Sequence, residues 1–324
     1  MKSLDRAQLQ EGYARPLSDL LDEAWAVTRA NFPPSLRFSA PSTKHYESDA
    51  FRNCSDRFVP ISLTGRACQL MCEHCKGRLL ETMYPAVSPA SLRGLADTLV
   101  ERGCQGVLIS GGADEEGRVP LSGYGEALAA LKARGLRVIV HSGLVDPETA
   151  AMLKQAGVDQ VLIDMIGDAE TIREVYHLYK TPADYAQSLH CLKDAGLAVA
   201  PHIVVGLHYG QVRGELEALR LISEVGVDAI VLVVLTPLPG TPMCAFPPSP
   251  PEMVGKIAAL ARLLNPLTPL SLGCARPPAR KFAVERLTIH AGVNAIAYPS
   301  QECIEYAQLM GLTIEFSELC CSLI

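Results

Sequence analysis

The 324-residue chain lacks any long apolar run and has no excess of basic residues. Its longest apolar stretch, residues 229–235, is far shorter than the roughly 20 residues that cross a bilayer. The first 20 residues are mixed and charged, without the apolar core of a signal peptide. A formal net charge of −6 excludes a global basic field that would attract nucleic acid or acidic lipid. We therefore expect a cytoplasmic protein with no nucleic-acid partner and no membrane partner.

The chain also lacks low-complexity segments and flexible interdomain linkers. Apolar residues make up 48% of it, which is too many for a disordered protein. We predict one catalytic domain with an extension at each end. Residues 1–57 form a helical extension followed by an irregular lead-in, residues 58–312 form the domain, and residues 313–324 form a tail with a cysteine pair.

Short apolar segments alternate with amphipathic helical segments from about residue 58 onward. Six segments have the length and composition of buried strands: residues 59–63, 106–109, 137–141, 160–164, 199–205 and 229–235. Two weaker strands follow at residues 268–272 and 294–298. The helical segments are residues 17–30, 89–101, 124–133, 147–155, 182–195, 214–225, 251–264 and 300–310.

This alternation predicts an α/β protein built from repeated βαβ units with a parallel sheet. Several helices begin with a Ser, Thr or Asp followed by Pro, as at Ser88, Asp146 and Thr181, and this order is typical of helix starts. We predict a TIM-type (β/α) barrel with six clear units and possibly eight, the alternative being an open doubly wound sheet. In a barrel, functional residues lie at the C-terminal ends of the strands.

Cysteine is abundant, with 11 residues in the chain. Disulfides are rare in the cytoplasm, so clustered cysteines there indicate metal or catalytic sites. Cys68, Cys72 and Cys75 have the spacing C-x3-C-x2-C within the segment ISLTGRACQLMCEHCKG, directly after the first predicted strand. Three thiolates in one loop can bind three irons of a cubane iron–sulfur cluster and leave the fourth iron open. A zinc site would require a fourth nearby ligand, and His74 is not at ligand spacing.

With this motif in this position, the sequence resembles the radical S-adenosylmethionine (SAM) superfamily. The resemblance implies a [4Fe-4S] cluster on Cys68, Cys72 and Cys75, whose open iron site binds SAM. One electron then cleaves SAM to a 5′-deoxyadenosyl radical, which abstracts hydrogen from the substrate. The three cysteines would therefore be catalytic as well as metal-binding, and His74 would lie against the adenine.

Further cofactor-binding positions match by the same resemblance. Ser110, Gly111 and Gly112 end the second strand and correspond to the family's glycine motif for the amino group of SAM. Three polar residues that end the next two strands could reach the ribose or carboxylate of SAM, or could be structural: His141, Ser142 and Asp164. His202 and residues 206–215 resemble the adenine-side glycine motif.

Cysteines outside this motif suggest a second site. Cys54, Cys274 and one of the adjacent pair Cys320 and Cys321 could together hold an auxiliary [4Fe-4S] cluster, a probable sulfur donor, across the barrel mouth. Ordinary packing is the simpler explanation for four other cysteines: Cys104, Cys191, Cys244 and Cys303. Arg276, close to Cys274, has two interpretations. It could contact the cluster or a carboxylate, or it could form an ordinary surface salt bridge.

The C-terminal region resembles biotin-synthase-like proteins through LGCARPP, AGVNAIAYPS and EYAQLMGL, and PLPGTPM at residues 237–243 has a similar counterpart there. The whole chain is similar to the archaeal-type two-protein lipoyl synthases. That resemblance implies sulfur insertion into an octanoyl chain on a lipoyl-carrier protein, either a lipoyl domain or the glycine-cleavage H protein. A second radical SAM lipoyl synthase protein and an electron donor would be partners. The alternatives are a biotin-synthase-like enzyme acting on a free small molecule and a non-enzymatic metal-binding protein.

Overall fold

A computed structural model describes residues 5–236 and 238–324. Residues 1–4, the start of the predicted N-terminal extension, and Pro237, the first residue of the PLPGTPM motif, lie outside the described residues. None of the described helices is long and apolar enough to cross a membrane.

The core of the fold is one curled, parallel sheet of 11 strands. Its order is β11-β1-β10-β9-β8-β7-β6-β5-β4-β2-β3. The strands are β1 (Ser35–Ser39), β2 (Phe58–Ser62), β3 (Tyr84–Pro85), β4 (Gly106–Ser110), β5 (Arg137–His141), β6 (Gln160–Asp164), β7 (Val199–Val205), β8 (Ile230–Val234), β9 (Leu270–Leu272), β10 (Ala295–Ala297) and β11 (Thr313–Ser317). This is a partial TIM-type (β/α) barrel, as the alternation of strands and helices predicted.

The described residues contain eleven α-helices, and most of them follow a strand on its outer face. They are α1 (Arg6–Ala14), α2 (Leu17–Asn31), α3 (Pro89–Glu101), α4 (Gly125–Ala133), α5 (Pro147–Gln155), α6 (Ala169–Tyr176), α7 (Pro182–Asp194), α8 (Glu215–Val225), α9 (Pro251–Leu264), α10 (Lys281–His290) and α11 (Gln301–Leu309). The predicted caps form: Ser88 and Asp146 each accept a hydrogen bond from the backbone N–H of the third helical residue.

The two ends of the chain differ from the prediction. The lead-in was expected to be irregular, but it contains β1, which pairs with both β10 and β11. The tail contains β11, so both extensions belong to the same sheet. The segment of β1 is only 5 residues long and mixes exposed with buried positions. Its strand conformation therefore depends on pairing with distant segments, which local sequence patterns do not report.

Alternate strand residues divide the apolar side chains between two layers. Val138 and Val140 of β5 face the outer layer beneath the helices, whereas Ile139 faces the barrel interior with Leu162 and Ala200. Residues 318–324 leave β11 and enter this interior. Cys321, Leu323 and Ile324 are among the tail residues that pack in the interior cluster.

Hydrogen bonds from side chains of the sheet to backbone carbonyls of the tail hold the tail inside the barrel. Gln160 donates its side-chain amide to the carbonyl of Ser322 over 3.1 Å, and the Arg37 guanidinium donates to the carbonyl of Leu323, also over 3.1 Å. The tail therefore closes the floor of the barrel interior, below the strand ends that carry the predicted site.

Candidate active site

The loop that follows β2 contains the cysteine triplet and is fixed to the loop after β4. The Thr64 hydroxyl accepts a hydrogen bond from the Gly112 N–H at 2.7 Å and donates to the Ala67 carbonyl at 2.8 Å. A Cβ on Gly112 would lie 2.0 Å from the carbonyl oxygen of Ala67 and 2.5 Å from Cα of Cys68. Only glycine permits this approach, so Gly112 positions the loop that contains the cysteines.

The three thiols lie at different depths in this loop. Cys72 is only 5% exposed, whereas Cys68 and Cys75 are partly exposed. The N–H groups of Cys75 and Lys76 both donate to the carbonyl of Cys72, at 3.1 and 2.8 Å. Met71 and Lys76 adopt positive φ angles of 43° and 47°, an unusual conformation for residues other than glycine. Such backbone strain is concentrated at functional sites, in agreement with a ligand-binding role for this loop.

The electrostatics of the loop favour a thiolate at its end. A hydrogen bond from Cys72, assisted by His74 and opposed by burial, lowers the pKa of the Cys75 thiol to about 4. The same hydrogen bond, together with burial and the charge of Cys75, raises the pKa of Cys72. One proton is therefore retained by the pair in the absence of a metal. Thiolates are the form that binds iron, so Cys75 is ready to act as a ligand.

Ser110, Gly111 and Gly112 lie beside the cysteine loop, where β4 ends. The Ser110 hydroxyl donates to the carbonyl of His141 over 3.2 Å. Ser142 was predicted as a cofactor contact, but its side chain is fully buried and its hydroxyl donates to the carbonyl of Gly143 at 2.9 Å. The chain turns after His141, so Ser142 faces away from the interior and is better explained as a structural residue.

Four side chains form a continuous polar row from the cysteine loop into the barrel. The ring of His74 lies 5.2 Å from that of Tyr176, whose hydroxyl donates to Oδ2 of Asp164 at 3.3 Å. Oδ1 of Asp164 lies 3.4 Å from Nε2 of His141. Nδ1 of His74 is buried and has no hydrogen-bond partner among the described residues. A ligand beside the cysteine loop could therefore bind this nitrogen.

Asp164 and His141 shift each other's pKa as an ion pair does. Burial acts against both charged forms. The charge and hydrogen bond of His141 nevertheless lower the pKa of Asp164 to about 2. Asp164 in turn outweighs the burial of His141 and raises the pKa of that imidazole. His202, whose ring lies 5.4 Å from that of His141, has its pKa lowered to about 4 by burial and by the neighbouring His141 charge. The two neighbouring imidazoles therefore have pKa values shifted in opposite directions.

The loop after β7 is held by a buried carboxylate. The N–H of Gly206 donates to Glu215 at 2.7 Å, and the N–H of Arg213 donates to the same carboxylate at 2.8 Å. Burial raises the pKa of Glu215, although these backbone hydrogen bonds oppose the shift. The hydrogen bonds to Glu215 therefore hold the loop at residues 206–215 in one conformation. A loop that shapes a binding site requires such support.

A second group of cysteines belongs to the C-terminal part of the chain, where Cys274 is exposed, Cys320 partly exposed and Cys321 buried. Cys274 follows β9, and Cys320 and Cys321 belong to the inserted tail. Burial and the charge of Cys320 raise the pKa of Cys274. The charge of His141 contributes to lowering the pKa of Cys320. The tail carries Cys320 into the barrel interior, where it packs against the interior apolar cluster.

Cys320 and Cys321 are not equivalent. A hydrogen bond from Cys321 and others from Ser322, opposed by burial, lower the pKa of Cys320 to about 6, and this side chain is partly exposed to the interior. Cys321 is 5% exposed and packs in the interior apolar cluster. Cys54 is exposed, and its N–H donates to the Glu318 carboxylate at the start of the tail over 2.5 Å. Cys320 is thus the more accessible member of the pair and has the lower thiol pKa.

Arg276 has a structural role. It forms an ion pair with Glu285 at 2.5 Å, and the two side chains are 3% and 0% exposed. Its guanidinium also donates to the carbonyls of Gly273 at 2.9 Å and Tyr298 at 2.7 Å. Of the alternatives left open for Arg276, contact with a carboxylate is the one found, and the ion pair is buried rather than on the surface. Arg276 ties the ends of β9 and β10 together beside Cys274.

The remaining cysteines are separate from both groups. Cys104, Cys191 and Cys303 are buried in the apolar core, as the packing interpretation predicted. Cys244 is exposed in the short helical turn Pro242–Ala245 after β8. These four positions give the sequence its high cysteine content without contributing to a site.

With this geometry established, comparison with known proteins becomes informative. Residues 62–222 match the radical SAM superfamily. A biotin synthase of Acidithiobacillus ferrooxidans is 24% identical over 301 residues, which cover 88% of this chain and 86% of that protein. A biotin synthase of Pelotomaculum thermopropionicum is 30% identical over 165 residues, half of each chain. This is a biotin-synthase-like radical SAM protein.

Solved structures support the fold of this radical SAM protein. Methylornithine synthase superposes with a TM-score of 0.67 at 16% identity, covering 97% of this chain and 94% of that one. The FeFe-hydrogenase maturase HydG of Carboxydothermus hydrogenoformans has a TM-score of 0.64 at 16% identity, with 97% and 76% coverage. At such low identity these likenesses establish the barrel architecture only.

The radical SAM assignment implies a [4Fe-4S] cluster and SAM, and the residues present fit both. Cys68, Cys72 and Cys75 provide three thiol ligands in one loop. Gly112 packs directly against the backbone of Ala67 and Cys68 and so positions the cysteine loop, and the free Nδ1 of His74 offers a polar contact. When bound, the cluster and SAM supply a 5′-deoxyadenosyl radical, while the residues of this chain hold and shield them.

Three residues important to the site were absent from the sequence analysis. Thr64 fixes the cysteine loop, Tyr176 extends the polar row from His74, and Lys44 lies beside Cys274. Tyr176 ends α6, a helix that was not predicted although Asp168 caps it and Glu170 lies in its first turn. The cap was a usable signal. The other two residues are ordinary loop residues with no recognisable pattern.

Proposed function

We propose that this radical SAM protein inserts sulfur into an octanoyl chain carried by a lipoyl-carrier protein, as one half of a two-protein lipoyl synthase. The observation that supports this proposal is the position of Cys320. The inserted tail carries this thiol, which is partly exposed, into the barrel interior, where it packs against the interior apolar cluster. A sulfur source placed there would face a substrate carbon from which the radical had removed hydrogen.

The second cysteine group is proposed to hold an auxiliary [4Fe-4S] cluster that supplies this sulfur. Cys274 and Cys320 are its main ligands in this proposal, and Cys54 at the start of the tail remains a further candidate. The walls of the interior include Leu108, Val233 and Leu319, which suit an acyl chain and contain no readily oxidised group. The polar row from His74 to His141 lies between the two cysteine groups and would orient the reactants.

The first test is anaerobic reconstitution with iron and sulfide counting, on the wild type and on the variant with Cys68, Cys72 and Cys75 all changed to Ala. Two cubane clusters predict about eight irons in the wild type and about four in the variant. About four irons falling to none would remove the internal sulfur donor and with it the proposed reaction.

The substrate is tested by mass spectrometry after incubation with SAM and a reductant, with and without the partner radical SAM protein. We expect an octanoylated lipoyl domain or octanoylated H protein to gain one sulfur atom. The alternative is sulfur insertion into a free biotin precursor, which the names of the biotin synthase relatives favour. Sulfur appearing in the free precursor, with the carrier unmodified, would replace the lipoyl proposal by this alternative.

A further inference from the structure

Lys44 lies in the loop between β1 and β2 and reaches the second cysteine group. Its Nζ donates to the carbonyl of Cys274 at 3.3 Å and stands 4.2 Å from the centre of the Tyr298 ring. Cation–π attraction of this kind holds an ammonium group over an aromatic face. Cys274 follows β9 and Tyr298 follows β10, so Lys44 bridges the strand ends that border the second group.

The loop is built to hold Lys44 in place. The Asn53 side chain donates to the carbonyl of Lys44 at 2.9 Å and to that of Ala40 at 3.1 Å, and accepts from the Tyr46 N–H at 2.9 Å. On the other side, the Tyr298 hydroxyl donates to the carbonyl of Pro41 at 2.6 Å. The backbone of Lys44 is therefore fixed before any ligand binds. This limits the conformational entropy that is lost when the Lys44 side chain contacts a bound group.

The charge of Lys44 is not neutralised by a carboxylate. In residues 5–236 and 238–324, no carboxylate oxygen is within ion-pair distance of its Nζ, whereas nearby Arg276 is paired with Glu285. The groups whose negative charge acts most on Lys44 are the thiols of Cys274 and Cys321. Lys44 is exposed, as is Cys274, whose carbonyl it contacts, so its charge is maintained by solvent and remains available to an anionic ligand beside Cys274.

We propose that Lys44 is a positioning residue for the auxiliary cluster, where its positive charge stabilises the thiolate ligands and raises the reduction potential of the cluster. This inference rests on the second cluster of the proposed function. A cubane with thiolate ligands has a net negative charge that increases on reduction, so a nearby cation favours the reduced form. Without Lys44 the potential falls and the cluster is held less firmly.

The experiment measures the second cluster alone, in the full chain whose Cys68, Cys72 and Cys75 are replaced by Ala. In this background we compare Lys44→Gln, Lys44→Arg and the control His45→Gln. His45 adjoins Lys44 in the same loop, but its side chain is 64% exposed and approaches Glu47 instead. Iron is counted after reconstitution, and the midpoint potential is measured by redox titration followed by electron paramagnetic resonance.

We expect Lys44→Gln to shift the reduction equilibrium about tenfold toward the oxidised form, which is about 60 mV for a one-electron couple. Loss of iron in Lys44→Gln that Lys44→Arg restores would equally support the proposal. Unchanged iron and an unchanged potential in Lys44→Gln would overturn it while leaving the sulfur-insertion proposal intact. If the parent variant binds no iron at all, the auxiliary cluster and the role of Lys44 both fail.

Discussion

The two cysteine groups of this protein are assembled in opposite ways. Cys68, Cys72 and Cys75 lie within eight consecutive residues, and a short loop with local hydrogen bonds arranges them. Cys274 and Cys320 are separated by most of the C-terminal region, and Cys320 reaches the interior only because residues 318–324 enter the barrel. The first site depends on a few backbone conformations, and the second depends on correct insertion of the tail. The two should therefore fail under different substitutions.

The largest expected effect concerns the first group. Replacing any one of Cys68, Cys72 and Cys75 by Ala removes a cluster ligand, so we expect complete loss of SAM cleavage, measured as 5′-deoxyadenosine release. The matched control is Cys244→Ala, an exposed cysteine outside both groups, which should cleave SAM at the wild-type rate. Undiminished cleavage by all three single variants would contradict the radical SAM chemistry assigned to this loop.

The second group should lose sulfur transfer while SAM cleavage continues. We expect Cys320→Ala to abolish sulfur insertion, because the thiol that faces the interior is gone, and to leave 5′-deoxyadenosine release within about twofold of the wild type. Cys321→Ala serves as the comparison, since this side chain packs among apolar groups. It should retain most sulfur transfer. The reverse order, with Cys321→Ala inactive and Cys320→Ala active, would exchange their assigned roles.

The scaffold beneath Cys274 depends on a buried ion pair. Arg276→Met leaves the carboxylate of Glu285 buried without its partner, which costs about 3–5 kcal/mol of unfolding free energy. Denaturant unfolding of the apoprotein measures this loss. The double variant Arg276→Met, Glu285→Leu should recover much of it, because no unpaired charge remains. A double variant as unstable as the single one would show that the hydrogen bonds of Arg276 to backbone carbonyls matter more than the pair.

The close approach at Gly112 predicts a smaller effect on the first site. In Gly112→Ala the added methyl group meets backbone atoms of Ala67 and Cys68, so the cysteine loop must shift. We expect about a hundredfold decrease in SAM cleavage, because a displacement of about 1 Å at an active site can cause a loss of this size. Gly94→Ala is the control, since nothing lies within 4 Å of the new Cβ in α3. Equal activities for the two variants would remove the packing argument.

The smallest expected effect concerns the ion pair between the two groups. Asp164 has a lowered pKa, so its contribution to stability is present above its unfolded pKa of about 4 and is lost as the pH falls toward 2. His141 has a raised pKa, so its contribution is present below about pH 6.5 and is lost as the pH rises through its folded value. The pair therefore stabilises the protein most between about pH 4 and 6.5.

Asp164→Asn should accordingly destabilise the apoprotein by about 1 kcal/mol near pH 6, and by less near pH 8.5. The pKa of His141, followed by NMR, should fall below its ordinary value because burial then acts without compensation. The side chains are 27% and 29% exposed, which limits the size of the effect. A difference in stability that grows from pH 6 to 8.5 would contradict this ion-pair description.

Much of the fold follows directly from local patterns. The strands Arg137–His141, Gln160–Asp164 and Val199–Val205 have the predicted bounds, because short apolar segments between capped helices have few other stable conformations. The helices Pro89–Glu101 and Pro147–Gln155 also agree, since Ser88 and Asp146 define their starts. β1, β11 and α6 were not predicted. The two strands are stabilised by partners far away in the chain, and α6 is a short helix between two longer elements.

The sequence by itself determined the cysteine triplet and the neighbouring glycines, because the spacing within a single loop is sufficient to bring three thiols to one cluster. Tertiary structure decided the rest. Only the insertion of residues 318–324 distinguishes Cys320 from Cys321, and only the packing of β9 against β10 makes Arg276 a buried structural residue. Lys44 meets Cys274 across more than 200 residues of chain. Contacts at such separations result from the closing of the sheet, and no local pattern of residues encodes them.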